Sequence, residues 1–277
     1  MTFRIAQISD THLSATKPFF VANFLRVGEA VAREAVDLVV NTGDISLDGA
    51  SGEADLAEAR SLHDALGCAF KCIPGNHDLG DNADVPGVSQ AIDAARRARY
   101  VKHFGGDWWL VDAPGWRLIG VNAQLFASGL QAAREQSAFI AEAAAGAAAG
   151  SRQIALFIHK PLFDMREGED VVGGRFLNPS SRRELLSAFG AARPALVACG
   201  HVHQFRESEA HGARHVWGPS TGYFIPDTRQ PRYGLKEVGF VIHELHQDGT
   251  HASRFARAPG TDNLSIADFP EAYGPMH

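Results

Sequence analysis

Short apolar, β-branched runs recur along the chain and stop abruptly at turn-forming residues, the pattern of buried strands about four to eight residues long. They lie at 3–8, 38–40, 69–73, 154–158 and 196–198. After each of the first three, at residues 21–35, 53–66 and 88–103, apolar side chains recur at helical spacing, so strand and helix alternate. Past Trp108 the period shortens: 108–111 and 116–122 alternate on either side of Pro114-Gly115 and predict a β-hairpin, where a second sheet begins. Residues 131–149 are Ala-rich, yet alanine is the best helix former and Phe139 and Ile140 supply a buried stripe. A helix is expected there rather than a tether. Further strands are predicted near 214–217 and 238–246, followed by a Pro- and Gly-punctuated tail from Ala258. That tail either wraps the body or meets another subunit, which leaves a homo-oligomer open. A chain of 277 residues can bury a large core, and one domain spanning 1–277, with 258–277 as its tail, is expected.

Chemistry collects where the predicted strands end. In order along the chain stand Asp10-Thr11-His12, Gly43-Asp44, Gly75-Asn76-His77-Asp78, His159 and Gly200-His201-Val202-His203. Open α/β sheets gather ligands at strand C-terminal ends, whatever the distance in sequence. In a strand-like exit, residues two apart share a face, so Asp10 with His12 and His201 with His203 are expected to aim together. The glycines before Asp44, Asn76 and His201 are expected to adopt backbone angles that a Cβ would forbid. Two carboxylates, one amide oxygen and four imidazoles form a mixed oxygen and nitrogen set, suited to Mn, Fe, Zn or Co rather than a closed thiolate site. Seven ligands exceed one tetrahedral ion. With one carboxylate bridging, they supply four to each of two divalent ions, as a two-metal hydrolytic site requires.

These motifs resemble the calcineurin-like metallophosphoesterases, whose pattern D-x-H, G-D, G-N-H-[DE], H, G-H-x-H is matched in order from Asp10 to His203. Within that superfamily the chain looks most similar to bacterial class III cyclic-nucleotide phosphodiesterases and related glycerophosphodiesterases. The resemblance implies an α/β (α+β) fold, a four-layer αββα sandwich of two mixed sheets flanked by helices, with the dinuclear site at strand C-terminal ends. It implies that Asp10, His12, Asp44 and His203 hold one ion, that Asp44, Asn76, His159 and His201 hold the other, and that His77 is the catalytic residue facing substrate. The implied activity is hydrolysis of a small phosphodiester, a cyclic nucleotide or glycerophosphodiester, by a hydroxide bridging the ions. A phosphomonoesterase or nucleotide phosphatase with the same site is the alternative, and a scaffold without chemistry is disfavoured by retention of every ligand and of His77. Two departures bear on substrate. Protein Ser/Thr phosphatases carry an acidic-Arg pair after G-D and an Arg after G-N-H-E, whereas Asp44 is followed here by Ile45-Ser46-Leu47 and Asp78 by Leu79-Gly80. Many cyclic-nucleotide enzymes have a second histidine after the fifth ligand, where this chain has Lys160-Pro161.

Charge narrows the partners. Lys plus Arg number 26 against 32 Asp plus Glu, a net −6, and no basic stripe tracks a phosphate backbone, so nucleic acid is not an expected partner. Arg96-Arg97-Ala98-Arg99 is expected to be a solvated helix face. No export signal precedes the first strand and no apolar run spans a bilayer, so a cytoplasmic enzyme without membrane association is expected. Cys68 and Cys72, about 13 Å apart along one strand, are too distant to pair. Cys199 reads as a small core residue rather than a ligand. His63, His103, His211, His215, His243, His246, His251 and His277 are expected outside the site, with His215 and His243 placed to approach it from behind. Two segments are expected near substrate: 163–178, with Gly168, Gly173, Gly174, Arg166 and Arg175, and 218–224 with its hydroxyls and aromatics.

Overall fold

The computed structural model describes residues 1–165 and 169–273. Arg166, Gly168 and His277, named above, lie outside the described residues. The chain runs β1 (Thr2–Ile8), α1 (Val21–Arg33), β2 (Leu38–Asn41), α2 (Ala54–Asp64), β3 (Phe70–Cys72), α3 (Asn76–Leu79), α4 (Ala94–Phe104), the hairpin β4 (Trp109–Ala113) and β5 (Trp116–Val121), then α5 (Gln131–Ala149). It continues through β6 (Gln153–Ile158), α6 (Pro179–Phe189), β7 (Leu196–Cys199), β8 (Arg206–Ala210), β9 (Ala213–Trp217), β10 (Phe240–His246), β11 (His251–Ala256) and α7 (Pro270–Tyr273).

Two mixed sheets result. One is ordered β11-β10-β1-β2-β3, its β1, β2 and β3 parallel and the other two antiparallel. The other is ordered β4-β5-β6-β7-β9-β8, parallel from β5 to β9 with an antiparallel strand at each edge. Period-two alternation explains why the central runs are apolar throughout, because both faces of each strand are covered. Ile5, Val40, Phe157 and Leu196 fill the seam between the sheets. Their neighbours Ala6, Ile8 and Val39 pack with Phe24 of α1, Leu56 of α2 and Tyr100 of α4. On the far side Leu156, Ile158 and Val197 pack with Ile140 of α5 and Leu185 of α6. The layers are thus helix, sheet, sheet, helix, as the resemblance implied.

Several details differ from the sequence expectation. Helix α4 begins at Ala94, not 88, because the Asp93 carboxylate accepts the Arg96 amide at 2.8 Å and a bridge from Asp81 to Ala91 holds the preceding residues extended. Its arginines are not simply solvated: Arg97 grips the buried Asp107 with bonds of 2.8 and 2.7 Å and lies over the Trp108 ring. Strands β8 and β11 were not predicted, because as sheet edges they bury little and carry no apolar run. The Ala-rich helix forms as expected, with Ala132, Gln136, Ile140, Ala143, Ala144 and Ala147 along its buried side. The tail packs on its own chain: Asn23 exchanges two hydrogen bonds with the Asp262 backbone, and Ile266 and Ala272 are buried with Phe20 and Tyr223. Among the described residues, no helix is long and apolar enough to cross a membrane.

Candidate metal centre

The parallel strands of both sheets end at one rim, and the five motifs meet there. Asp10 follows β1, Asp44 follows β2, Asn76 and His77 open α3 after β3, His159 follows β6, and His201 and His203 follow β7. Donor atoms of Asp10, His12 and His203 lie within 4.8 Å of one another, as do those of Asp44, His159 and His201, and those of His12, Asp44 and His77. The Asn76 amide oxygen stands 3.2 Å from His159 Nε2. Asp10, His12, Asp44, His159 and His203 are buried at the back, while Asn76, His77 and His201 are partly exposed at the mouth.

The way the side chains converge was not anticipated. Asp10, His12, Asp44, His201 and His203 all have left-handed backbones, with φ of 51°, 45°, 50°, 70° and 53°. They do not leave their strands extended, so the expected same-face argument does not describe them. Each such non-glycine residue carries strain of roughly 1–3 kcal/mol, tolerated where the surroundings over-determine it. Here interlocking amides do so: Asp10 N–H donates to Gly43 O at 2.9 Å, His12 N–H to Asp44 O at 3.0 Å, and His201 N–H to the Asp10 carboxylate at 3.0 Å. Of the three glycines expected to turn the chain, only Gly43 has positive φ. The other two provide room. A Cβ on Gly75 would sit 2.2 Å from Asp44 Oδ1, and one on Gly200 would sit 1.8 Å from Ser9 Oγ and 2.6 Å from Asp10 Oδ2.

Imidazole orientation is set by fixed acceptors. His159 Nδ1 donates to Thr42 O at 2.8 Å, His203 Nδ1 to Tyr223 O at 2.9 Å, and His201 Nε2 to Gly174 O at 2.9 Å. Each leaves its other nitrogen for the cluster. Asp78 ties two of the loops together, accepting from the amides of Ile45, Ser46 and Gly75 and from the Ser46 hydroxyl. Burial, then the neighbouring Asp44 charge, pushes its carboxyl up to about 6. For His159, burial disfavours the charged ring, but Asp44 at 3.3 Å and then Asp10 override this and push it up to about 9. Asp44 stays well below the usual carboxylate range despite burial, held there by His159 and His77. The chemistry of this donor set fits a cation: buried carboxylates whose ion pairs are with imidazoles, His203 for Asp10 and His159 for Asp44. Burial, followed by nearby imidazoles, keeps His12 and His201 well below the ordinary histidine range, so both offer neutral nitrogens.

Two further histidines brace the site from behind. His63 accepts from Asn41 Nδ2 at 3.0 Å, and Asn41 Oδ1 accepts the Gly43 amide at 3.1 Å. His243 meets Gln7 Oε1 at 2.9 Å, and Gln7 Nε2 reaches Thr42 and the Cys199 carbonyl. The expected approach of His243 from behind is therefore met. His215 instead packs beside Phe163, with Nε2 near Ala210 O. Cys199 is a core residue and Cys68 and Cys72 are free thiols. Burial pushes His63 down to about 4 and His243 down to about 3. Both rings are neutral when folded but take up a proton below about pH 6.5 when unfolded. Stability is therefore full above that pH and declines as pH falls towards 4, by on the order of 3 kcal/mol for each ring. Urea midpoints at pH 7, 6, 5 and 4 check this; a flat profile down to pH 4.5 would mean that the folded protein already carries these protons.

A cleft of about 750 Å³ opens onto the cluster, lined by Asp44, Asn76, His77, His201 and His203 and by an outer rim. Arg175 and Tyr223, from the two segments singled out in the sequence, belong to that rim. Thr228, Arg229, Gln230, Ile266 and Tyr273 do so as well, and the sequence carried no signal for them beyond a Pro-bounded stretch and a tail. Lys160, which stands where a second histidine was noted as missing, is wholly buried and paired with Asp81.

Comparison with known proteins agrees with this geometry. The model of the calcineurin-like phosphoesterase family matches residues 3–205. A 3′,5′-cyclic adenosine monophosphate phosphodiesterase of Pseudomonas aeruginosa is 25% identical over 254 residues, covering 88% of this chain and 86% of its own. Its counterpart in Escherichia coli is 27% identical over 279 residues, covering 93% and 90%. Among solved structures, a dimetal phosphatase from Danio rerio superposes with a TM-score of 0.61 at 14% identity, covering 91% of this chain and 95% of that one. A purple acid phosphatase from yellow lupin seeds gives 0.67 at 14% identity, covering 95% of this chain and 53% of that one. Those two likenesses concern the fold. Since the matched segment spans every motif from Asp10 to His203 and more than half of the chain, the protein belongs to the calcineurin-like phosphoesterase family and is a phosphoester hydrolase.

Proposed function

We propose that this hydrolase is a metal-dependent phosphodiesterase acting on a small diester of the cyclic-nucleotide or glycerophosphodiester type. The observation that carries the reading is the meeting of two ligand groups, Asp10-His12-His203 and Asp44-His159-His201, at one rim, with Asp44 also grouped with His12. In this reading Asp10, His12, Asp44 and His203 would hold one divalent ion and Asp44, Asn76, His159 and His201 the other, Asp44 bridging. Bound there, the ions would make water nucleophilic near neutral pH and offset charge on the phosphoryl oxygens.

The chain's own groups do the rest. His77 Nδ1 donates to Leu47 O at 3.1 Å, which leaves Nε2 for a substrate in the cleft that the ring lines. A protonated His77 can hand that proton to the departing alkoxide, the role of general acid. Arg175 and Arg229 also line the cleft and supply positive charge, and Tyr223, Ile225 and Tyr273 supply apolar surface for an organic group. The cleft volume lies in the range of small-molecule sites, about 300–1,000 Å³. The cyclic-nucleotide phosphodiesterases among the similar proteins support the diester reading. The pair of arginines favours a second reading, a phosphomonoesterase, because a monoester dianion carries more charge to neutralise.

Turnover of bis(p-nitrophenyl) phosphate against p-nitrophenyl phosphate by Mn-reconstituted protein separates the two. A preference for the diester of at least about tenfold in kcat/KM, some 1.4 kcal/mol, is expected. Preference for the monoester would replace the first reading with the second.

A further inference from the structure

Three of the four ligand imidazoles are oriented by backbone carbonyls, which no side-chain substitution can remove: Thr42 O for His159, Tyr223 O for His203 and Gly174 O for His201. His12 differs. Its Nε2 lies 3.4 Å from His203 Nε2 and so faces the cluster, and its Nδ1 lies 2.6 Å from the hydroxyl of Tyr273, a residue 261 positions away. His12 is 1% exposed, so a proton on that nitrogen has no bulk water to meet. Tyr223 closes the arrangement, donating to the Tyr273 hydroxyl at 3.0 Å, with its own oxygen 3.3 Å from His12 Nε2. The Tyr273 ring also lies against His77, with centroids 4.9 Å apart.

The contact is built rather than incidental. The segment before Tyr273 is anchored by a β-bridge between Phe224 and Ser265, by Lys17 Nζ donating to Ala272 O at 3.1 Å, and by burial of Ile266 and Ala272. Every one of these residues except Lys17 lies beyond residue 205, where the family match ends.

We propose that Tyr273 is a positioning residue for His12. Its phenol oxygen accepts the Nδ1 proton, which fixes the tautomer and aims Nε2 at the ion that Asp10, His12, Asp44 and His203 would share. The inference rests on the two-ion reading above. It makes one of the two ion positions dependent on a docked C-terminal segment, while the other, built from His159 and His201, is independent of it.

Calorimetric titration of the metal-free full chain with Mn tests this, with Tyr273→Phe, which keeps the ring and removes the oxygen, beside the unmodified protein. Two binding events are expected in the unmodified protein. In Tyr273→Phe one event should weaken about 10- to 100-fold, the range for groups that orient a metal-bound histidine. The other should stay within about twofold and the thermal midpoint should not move. Tyr273→Leu, which also removes the ring contact with His77, should weaken the same single event. Equal weakening of both events, or none, would overturn the positioning role, and a drop in thermal midpoint with both events weakened would identify Tyr273 as a packing residue. Absence of two events in the unmodified protein would instead overturn the two-ion reading, and this inference with it.

Discussion

Asp44→Ala is expected to abolish turnover and to leave fewer than two tightly bound ions per chain. The carboxylate is common to two groups of donor atoms, each within 4.8 Å of one another, with His12 and His77 in one and His159 and His201 in the other. Removing it also strips the charge that keeps His159 protonated in the metal-free protein, and deprives the His77 amide of its acceptor, a 2.8 Å bond. The loss should exceed about 100-fold, the upper range for groups outside the ligand set. Asp44→Asn, of the same size and still able to accept the His77 amide, separates this effect from misfolding: it should fold normally and still fail to turn over. Metal content by elemental analysis and kcat by diester assay are the readouts. Two tightly held ions in either variant would contradict the bridging role.

The second large effect is kinetic and selective. His77→Ala keeps the backbone amide that donates to Asp44, so ion content should be unchanged. A general acid matters in proportion to how poorly the leaving group departs by itself. With an alkoxide leaving group the variant should lose about 10²–10⁴-fold in kcat. With p-nitrophenolate, which departs without a proton, it should lose far less. Comparable losses on both would assign His77 to phosphoryl-oxygen stabilisation, and an unchanged rate on the alkyl diester would remove it from the chemistry.

The meeting place of the motif residues was legible because each motif is short and stands at the end of an apolar run, and parallel strands carry their C-terminal ends to one rim. The layering came from the family resemblance; the apolar runs agree with it, because a run apolar on both faces has to be covered twice. What the sequence hid was the backbone state of these residues. Nothing in the letters of Asp10, His12 or His203 signals a left-handed residue, since the cause is a set of cross-loop amides such as His12 N–H to Asp44 O. Tyr273 was hidden more deeply, because a contact across 261 positions leaves no local periodicity. The Arg96–Arg99 cluster was misread as a solvated face because the partner of Arg97, Asp107, follows the helix and enters the core through a turn. Helix α6 was not predicted, because its local marks are only Pro179 after Asn178 and Gly190 at its end, a weak boundary pair without a strong apolar stripe.

Both sheets contribute to the rim, four residues from one and three from the other. Asp10, His12, Asp44 and Asn76 hang from the sheet built on β1, β2 and β3, whereas His159, His201 and His203 hang from the one built on β6 and β7. In the proposed assignment each ion draws on both, so it acts as a rivet across the sandwich. Ion binding is then adhesion between the layers, adding about 2.7 kcal/mol for a site filled at a hundred times its dissociation constant. The converse also holds. Trimming a side chain deep in the seam, such as Phe157, loosens the packing that holds the two layers together and is expected to weaken ion binding, which metal titration of Phe157→Ala checks.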